Sequence, residues 1–187
     1  MMTITKGLRA LTLAAALAAG TASAAYAADP MVGGAPMMAS KNIVQNASQA
    51  KNLTTLVAAV KEAGLVDTLE GAGPFTVFAP TNAAFDKLPK ATVEALMKPD
   101  MKADLKKVLT YHVVAGKVDA AELAKEIKAG GGSYNMKTVE GGTLTAKMDG
   151  DKIAIIDEKG GGAIVETPDV FQSNGVVHVI DGVLMPK

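Results

Sequence analysis

Helix-patterned segments fill the first half of this chain and strand-patterned segments the second, and no feature of the sequence narrows the fold further. Leu53, Leu56, Val57 and Val60 repeat at the i, i+3, i+4, i+7 spacing of one buried stripe. That spacing predicts a helix over about 53–63, with Asn52 as its cap and Gly64 as its stop. A short helix capped by Thr81 and ended by Pro89 is expected next, then two more over about 92–98 and 101–109. Asp119-Ala120-Ala121-Glu122 resembles a capping box for a helix reaching Lys128, and the triplet Gly130–Gly132 ends it. Only two strands precede that point, Phe75–Ala79 and Tyr111–Val114. Beyond it, Leu144–Met148 and Lys152–Ile156 flank Asp149-Gly150-Asp151, a strong hairpin signal. Ala163–Val170, Val176–Ile180 and Val183–Met185 follow, parted by Gly160–Gly162, Asn174-Gly175 and Asp181-Gly182. An α/β sheet would interleave the two patterns, so this segregation predicts an α+β domain.

The first residues read as an export leader. Lys6 and Arg9 give a basic start, Ala10–Ala19 an apolar core, and Ala22-Ser23-Ala24 and Ala25-Tyr26-Ala27 two small-residue cleavage sites. Cleavage is expected after Ala27, because Ala28-Asp29-Pro30 begins a polar end. The apolar run is well short of the roughly 20 residues that span a bilayer. The expected organisation is a signal peptide over 1–27, a flexible tether over 28–41 and one domain over 42–187. The tether is inferred from the two prolines and Gly33-Gly34, with Met31, Met37 and Met38 read as adaptable apolar contacts rather than copper ligands. The exported product is expected in the periplasm, at the cell surface or secreted, with no transmembrane segment after processing.

Composition removes several functions. With no cysteine there is no disulfide, thiolate–metal or thiol-nucleophile chemistry. Basic and acidic side chains number 19 each before Lys6 and Arg9 are lost with the leader, leaving a mildly acidic chain. There is no Trp and aromatics make up 4%, too few stacking faces and too little positive charge for nucleic acid.

Three segments carry a family resemblance. Thr76-Val77-Phe78-Ala79-Pro80-Thr81-Asn82-Ala83-Ala84-Phe85 is similar to the first signature box of fasciclin domains, Tyr111-His112 follows a helix as in that family, and Asn174–Leu184 resembles the second box. The resemblance covers about Asn42 to Pro186. It implies a wedge-shaped β-sandwich with a cluster of helices along one edge, in which Thr76, Phe78, Pro80, Thr81, Asn82, Phe85, Tyr111, His112, Asn174, Gly175, His178 and Asp181 are motif residues. It further implies an extracellular role in adhesion or matrix contact. Asp169-Val170 matches a family pair linked to adhesion, and makes these two residues the candidate partner-binding site.

Read for chemistry, the chain offers little. His112 and His178 are the only histidines, and strand alternation sets them beside valines and isoleucine, as core residues rather than bases. No H-x-x-x-H or H-x-H pair, nucleophile elbow or phosphate-binding loop is present. Asp149-Gly150-Asp151 fails as a calcium loop, because its fifth and twelfth positions would be Ile153 and Gly160. No catalytic residue, metal or cofactor is therefore expected. The expected function is an exported, non-catalytic interaction module for a protein, cell-surface or matrix component. The alternative is a carrier of an apolar small molecule such as a carotenoid or lipid. Pro168 suggests an edge or irregular strand end, with Asp169 facing solvent and Val170 or Phe171 packing inward.

Overall fold

Two strands carry side chains buried on both faces, and the rest of the molecule is arranged around them. They are Phe75–Pro80 and Gly175–Ile180, whose sequences are almost wholly apolar. The computed structural model describes residues 29–187, so the leader and its cleavage site lie outside the described residues.

In chain order, a small hairpin of β1 (Met31–Val32) and β2 (Ala35–Pro36) leads into α1 (Ile43–Ala47), α2 (Thr54–Glu62) and α3 (Val66–Glu70). Then come β3 (Phe75–Pro80), α4 (Asn82–Asp86), α5 (Lys90–Leu96), a 3-10 turn at Pro99–Met101, α6 (Lys102–Tyr111) and β4 (Val113–Ala115). The last third holds α7 (Ala120–Ala129), β5 (Ser133–Lys137), β6 (Thr143–Asp149), β7 (Lys152–Ile156), β8 (Gly162–Gln172) and β9 (Gly175–Ile180). The main sheet has seven strands in the order β4-β3-β9-β8-β7-β6-β5. Its pairs are antiparallel except β3 with β9, the first and last strands of this sheet in chain order, which run parallel. The sheet curls until its ends nearly meet: Val139 N–H donates to Val113 C=O at 2.7 Å, and Val114 bridges Thr138.

Alternation along β3 and β9 divides the core in two. Val77, Ala79, Val177 and Val179 face the helices, against Leu53, Leu56, Val60, Leu105 and Leu109. Phe78 and Ile180 face the interior of the curl, with Leu123, Ile127, Leu144, Ile155 and Leu184. Each of the larger side chains among these, fully enclosed, contributes about 1.5–3 kcal/mol of transfer free energy. The protein is thus an α+β domain in which the two layers of the expected sandwich are halves of one curled sheet, with α1–α6 on its outer face and α7 packed into its interior.

Several local expectations need correction. The segment expected to be a tether is docked: Met31 pairs with Pro36 and Val32 with Ala35, and Val32 and Met37 are buried. The Gly33-Gly34 pair that suggests a break is the turn itself, at φ 58° and 81°, where the hairpin needs positive values. Asn52 does not cap α2, whose first turn has no side-chain cap from its own flank. Tyr111 ends α6 and His112 is that helix's C-cap, so neither lies on a strand. The hairpin between β6 and β7 turns on Gly150-Asp151, because Asp149 is still paired, with Lys152. Finally, β8 is central rather than an edge. Pro168 is accommodated by a bulge, where the pairing with β9 slips between Thr167 and Val170. Other signals hold, among them Gly64 at φ 67°, which closes α2 with Leu65 N–H donating to Val60 C=O at 3.0 Å.

Candidate functional site

The first signature box binds elements together from within. β3 brings Thr76 beside the loop after β4, where its hydroxyl donates to Gly116 C=O at 2.7 Å and accepts from Val118 N–H at 2.9 Å. Pro80, buried, ends the strand, and Thr81 caps α4 by accepting from Ala84 N–H at 3.3 Å. Asn82 then caps α2 from outside: its Oδ1 accepts from Thr55 N–H at 3.0 Å, and its amide donates to Lys51 C=O and to Thr54 Oγ1. Phe85 packs half-buried against the helical core.

The second box does the same for the far end of the sheet. The Asn174 amide donates to Leu69 C=O at 2.7 Å and Gly71 C=O at 3.0 Å, and its Oδ1 accepts from Ile43 N–H at 3.2 Å. One side chain thereby joins α1, α3 and the β8–β9 turn. Gly175 passes so close to β3 that a β-carbon there would sit 2.1 Å from Phe75 O. Asp181 accepts from Ile164 N–H at 2.7 Å and from Lys87 Nζ at 2.9 Å. Burial alone would raise its carboxyl pKa, but these donors and the Lys87 charge outweigh it and hold the group below the usual carboxylate value. The Tyr111 hydroxyl donates to Thr143 C=O at 2.8 Å and accepts from Glu158 N–H at 3.1 Å, and burial pushes its pKa up.

Both histidines are enclosed and neutral, with opposite tautomers. His112 Nε2 lies 3.0 Å from Leu184 N–H and must accept, so Nδ1 carries the proton and donates to Val108 C=O at 2.8 Å. Burial lowers its pKa to about 4, and the Val108 carbonyl and Asp157 charge offset this only in part. His178 Nδ1 accepts from Asp169 N–H at 3.3 Å, leaving Nε2–H to donate to Val118 C=O at 2.8 Å. It stacks on Phe78 with centroids 5.6 Å apart, and burial lowers its pKa against the pull of Asp169 and Asp119. Neither ring has a nitrogen free for a substrate proton, and no group of three or more potential metal ligands is assembled among the described residues.

Asp169 sits at the β8 bulge with φ 56°, the sole non-glycine residue at positive φ among those described. Its Oδ1 accepts from Ala120 N–H at 2.7 Å, so it caps α7 beside that helix's own N-cap, Asp119, which accepts from Glu122 N–H at 2.8 Å. It is half-buried and tied into the fold rather than free in solvent, and Val170 is 1% exposed. The bulge turns Phe171 outward, 38% exposed, with Lys117 Nζ 4.5 Å from its ring centre.

Two further features join distant parts of the chain. Asn46 is buried; its Oδ1 accepts from Met38 N–H at 3.2 Å, and its amide donates to Met38 C=O at 2.8 Å and to Gln172 Oε1. Beneath α1 and α2 lies a cavity of about 40 Å³, walled by Val32, Met37, Leu53, Val60, Val113 and Val177 among others. Its lining side chains are apolar except Lys61, His112 and Gln172. No local sequence signal announces either, since both join residues far apart in the chain.

Residues 51–186, which hold both boxes, match the fasciclin domain family model. The chain belongs to the fasciclin domain family. It is 46% identical over 144 residues to Protein sll1483 of Synechocystis sp., covering 77% of this chain and 73% of that one. Against the Immunogenic protein MPB70 of Mycobacterium bovis it is 36% identical, covering 89% and 81%. Against the Cell surface glycolipoprotein MPB83 of the same species it is 37% identical, covering 89% and 71%. A FAS1 domain pair from the insect cell adhesion molecule fasciclin I shares the fold, with a TM-score of 0.70 at 20% identity. That likeness covers 78% of this fasciclin domain chain and about half, 51%, of the domain pair. No helix among the described residues is long and apolar enough to cross a membrane.

Proposed function

We propose that this fasciclin protein is an exported, non-catalytic domain that holds a protein or matrix partner at the cell surface. The observation that carries this reading is the β8 bulge. A residue at φ 56° in the middle of a central strand breaks the alternation and presents Phe171 and Lys117 together, beside a carboxylate. Exposed aromatic and cationic side chains at one spot suit a protein contact. Asp169 Oδ1 is engaged with Ala120 N–H, which fixes the carboxylate beside this spot. The polar residues of both signature boxes are engaged with backbone groups, and no acid, base and nucleophile are gathered in one place among the described residues. A cell-surface relative and an adhesion-molecule neighbour support the same reading. The test is binding of the purified exported chain to envelope fractions and intact cells of its host. Phe171→Ser and Lys117→Glu should each weaken capture at least about tenfold, the loss expected of a residue that carries binding energy, with Tm little changed. Capture unaffected by both variants would refute the assignment.

The cavity under α1 and α2 favours a second reading, a carrier of an apolar small molecule. An enclosed void with apolar walls stays dry, and filling it with an apolar ligand restores lost dispersion contacts.

A further inference from the structure

We propose that the cavity beneath α1 and α2 takes a single acyl chain with an anionic head, and that the N-terminal strap Pro30–Met37 is its lid. The proposal rests on the carrier reading above. It starts from the size of the void. About 40 Å³ admits only a few water-sized spheres, at roughly 10–15 Å³ each. A chain of any length must therefore take over the space filled by Val32 and Met37, the two strap side chains in the cavity wall. The ligand and the docked strap exclude each other.

The strap is built to lift. It lies ahead of residue 51, where the family match begins, and its hairpin has only two residue pairs, too few to be stable unsupported. Met38 forms the pivot, because Asn46 grips both its N–H and its C=O. The tip is held by one close approach. Gly33 C=O accepts from Lys51 N–H at 3.3 Å, and a β-carbon on Gly33 would lie 2.6 Å from Lys51 N and 2.4 Å from Asn52 Oδ1.

The walls choose the ligand. Apart from Lys61, His112 and Gln172 they are aliphatic side chains with Met37 and Phe78, suited to a flexible hydrocarbon rather than to a polar ring. Lys61 is the single cation among the lining residues. It is exposed, in the last turn of α2, and no carboxylate among the described residues pairs with it. An acyl chain inside the cavity can set a carboxylate or phosphate head against Lys61.

The experiment measures fluorescence of cis-parinarate, a polyene fatty acid, on the purified exported chain and on Gly33→Ala, Val32→Ser and Lys61→Ala. Gly33→Ala undocks the tip without altering the cavity wall; Val32→Ser removes an anchor and serves should Gly33→Ala not fold. Releasing the lid raises the competent fraction, so either strap variant should bind about tenfold more tightly than the unaltered chain. Dodecanoate should displace the probe several-fold less well from Lys61→Ala, while dodecanol should be unaffected. Equal binding with and without the strap contacts overturns the lid and leaves the carrier reading standing. Dodecanoate displacement indifferent to Lys61 overturns the anionic head. No parinarate binding by any folded variant overturns the site and the carrier reading together.

Discussion

Replacing Asp169 by alanine removes two things at once. It deletes the acceptor for Ala120 N–H, a helix cap worth about 1 kcal/mol. It also leaves an alanine at φ 56°, a conformation that costs an ordinary L-residue about 1–2 kcal/mol and aspartate less. The N–H bond to His178 survives, because it belongs to the backbone. Asp169→Ala should therefore destabilise the protein by about 2–3 kcal/mol. Asp169→Gly keeps the backbone conformation and loses only the cap, for a net cost nearer 1 kcal/mol. Asp169→Asn keeps both acceptor and backbone tolerance, losing only a favourable charge at the start of α7, about 0.5 kcal/mol. The expected order of stability is wild type, Asn, Gly, Ala. Urea denaturation followed by circular dichroism reads it directly, provided the denaturant slope is unchanged. The alanine variant should also lose about 4–10 °C in Tm. An alanine variant as stable as the glycine one would show that the backbone strain argument is wrong. Binding assays on Asp169 variants should be run well below their Tm, so that lost capture is not lost fold.

Acid should weaken the fold while most carboxylates are still charged. His112 titrates near 4 when folded and near 6.5 when unfolded, so between those values the unfolded chain binds more protons. Its contribution is fully present above about pH 6.5 and disappears as pH falls toward 4, up to about 3 kcal/mol, with His178 shifted in the same direction. Urea melts that show no pH dependence across this window would contradict the buried neutral rings. Asn174→Ala strands Ile43 N–H and the carbonyls of Leu69 and Gly71, and should cost about 3 kcal/mol by chemical denaturation; a cost under 1 kcal/mol, roughly one ordinary hydrogen bond, would refute its role as a three-way tie. Gly175→Ala forces β9 away from Phe75 and should cost at least about 2 kcal/mol, and a neutral effect in the same assay would show that the strands can part freely.

Much of this architecture is legible in local sequence because the relevant forces are local. The stripe through Leu53, Leu56 and Val60, the Thr81 and Asp119 caps, and the positive-φ stop at Gly64 each depend on residues within seven positions of one another. The errors arise where distant partners decide. Nothing near Thr54 reveals that Asn82 will cap α2, or that Asn46 will hold the strap through Met38. At Tyr111-His112 two periods compete. The β-branched residues that follow suggest a strand, yet Leu105, Val108, Leu109 and His112 continue a helical stripe, and packing against the outer core favours the helix. Pro168 is compatible with an edge or with a bulge, and only the neighbouring β7 and β9 settle it. The same holds for the candidate site. Asp169 could be singled out from sequence, but its capping of α7 and the outward turn of Phe171 depend on a register slip that no local pattern encodes.

The central claim is that the residues of the two signature boxes are internal ties, which leaves function to the outer surface and the cavity. Long-range proton–nitrogen NMR of the two imidazoles tests it most directly. The account predicts that His112 is protonated on Nδ1 and His178 on Nε2, that both rings are neutral at about pH 6, half a unit below the usual histidine pKa, and that neither exchanges rapidly with solvent. A ring that titrates near 6.5 with a solvent-exposed nitrogen would contradict it and place a histidine back among the functional residues.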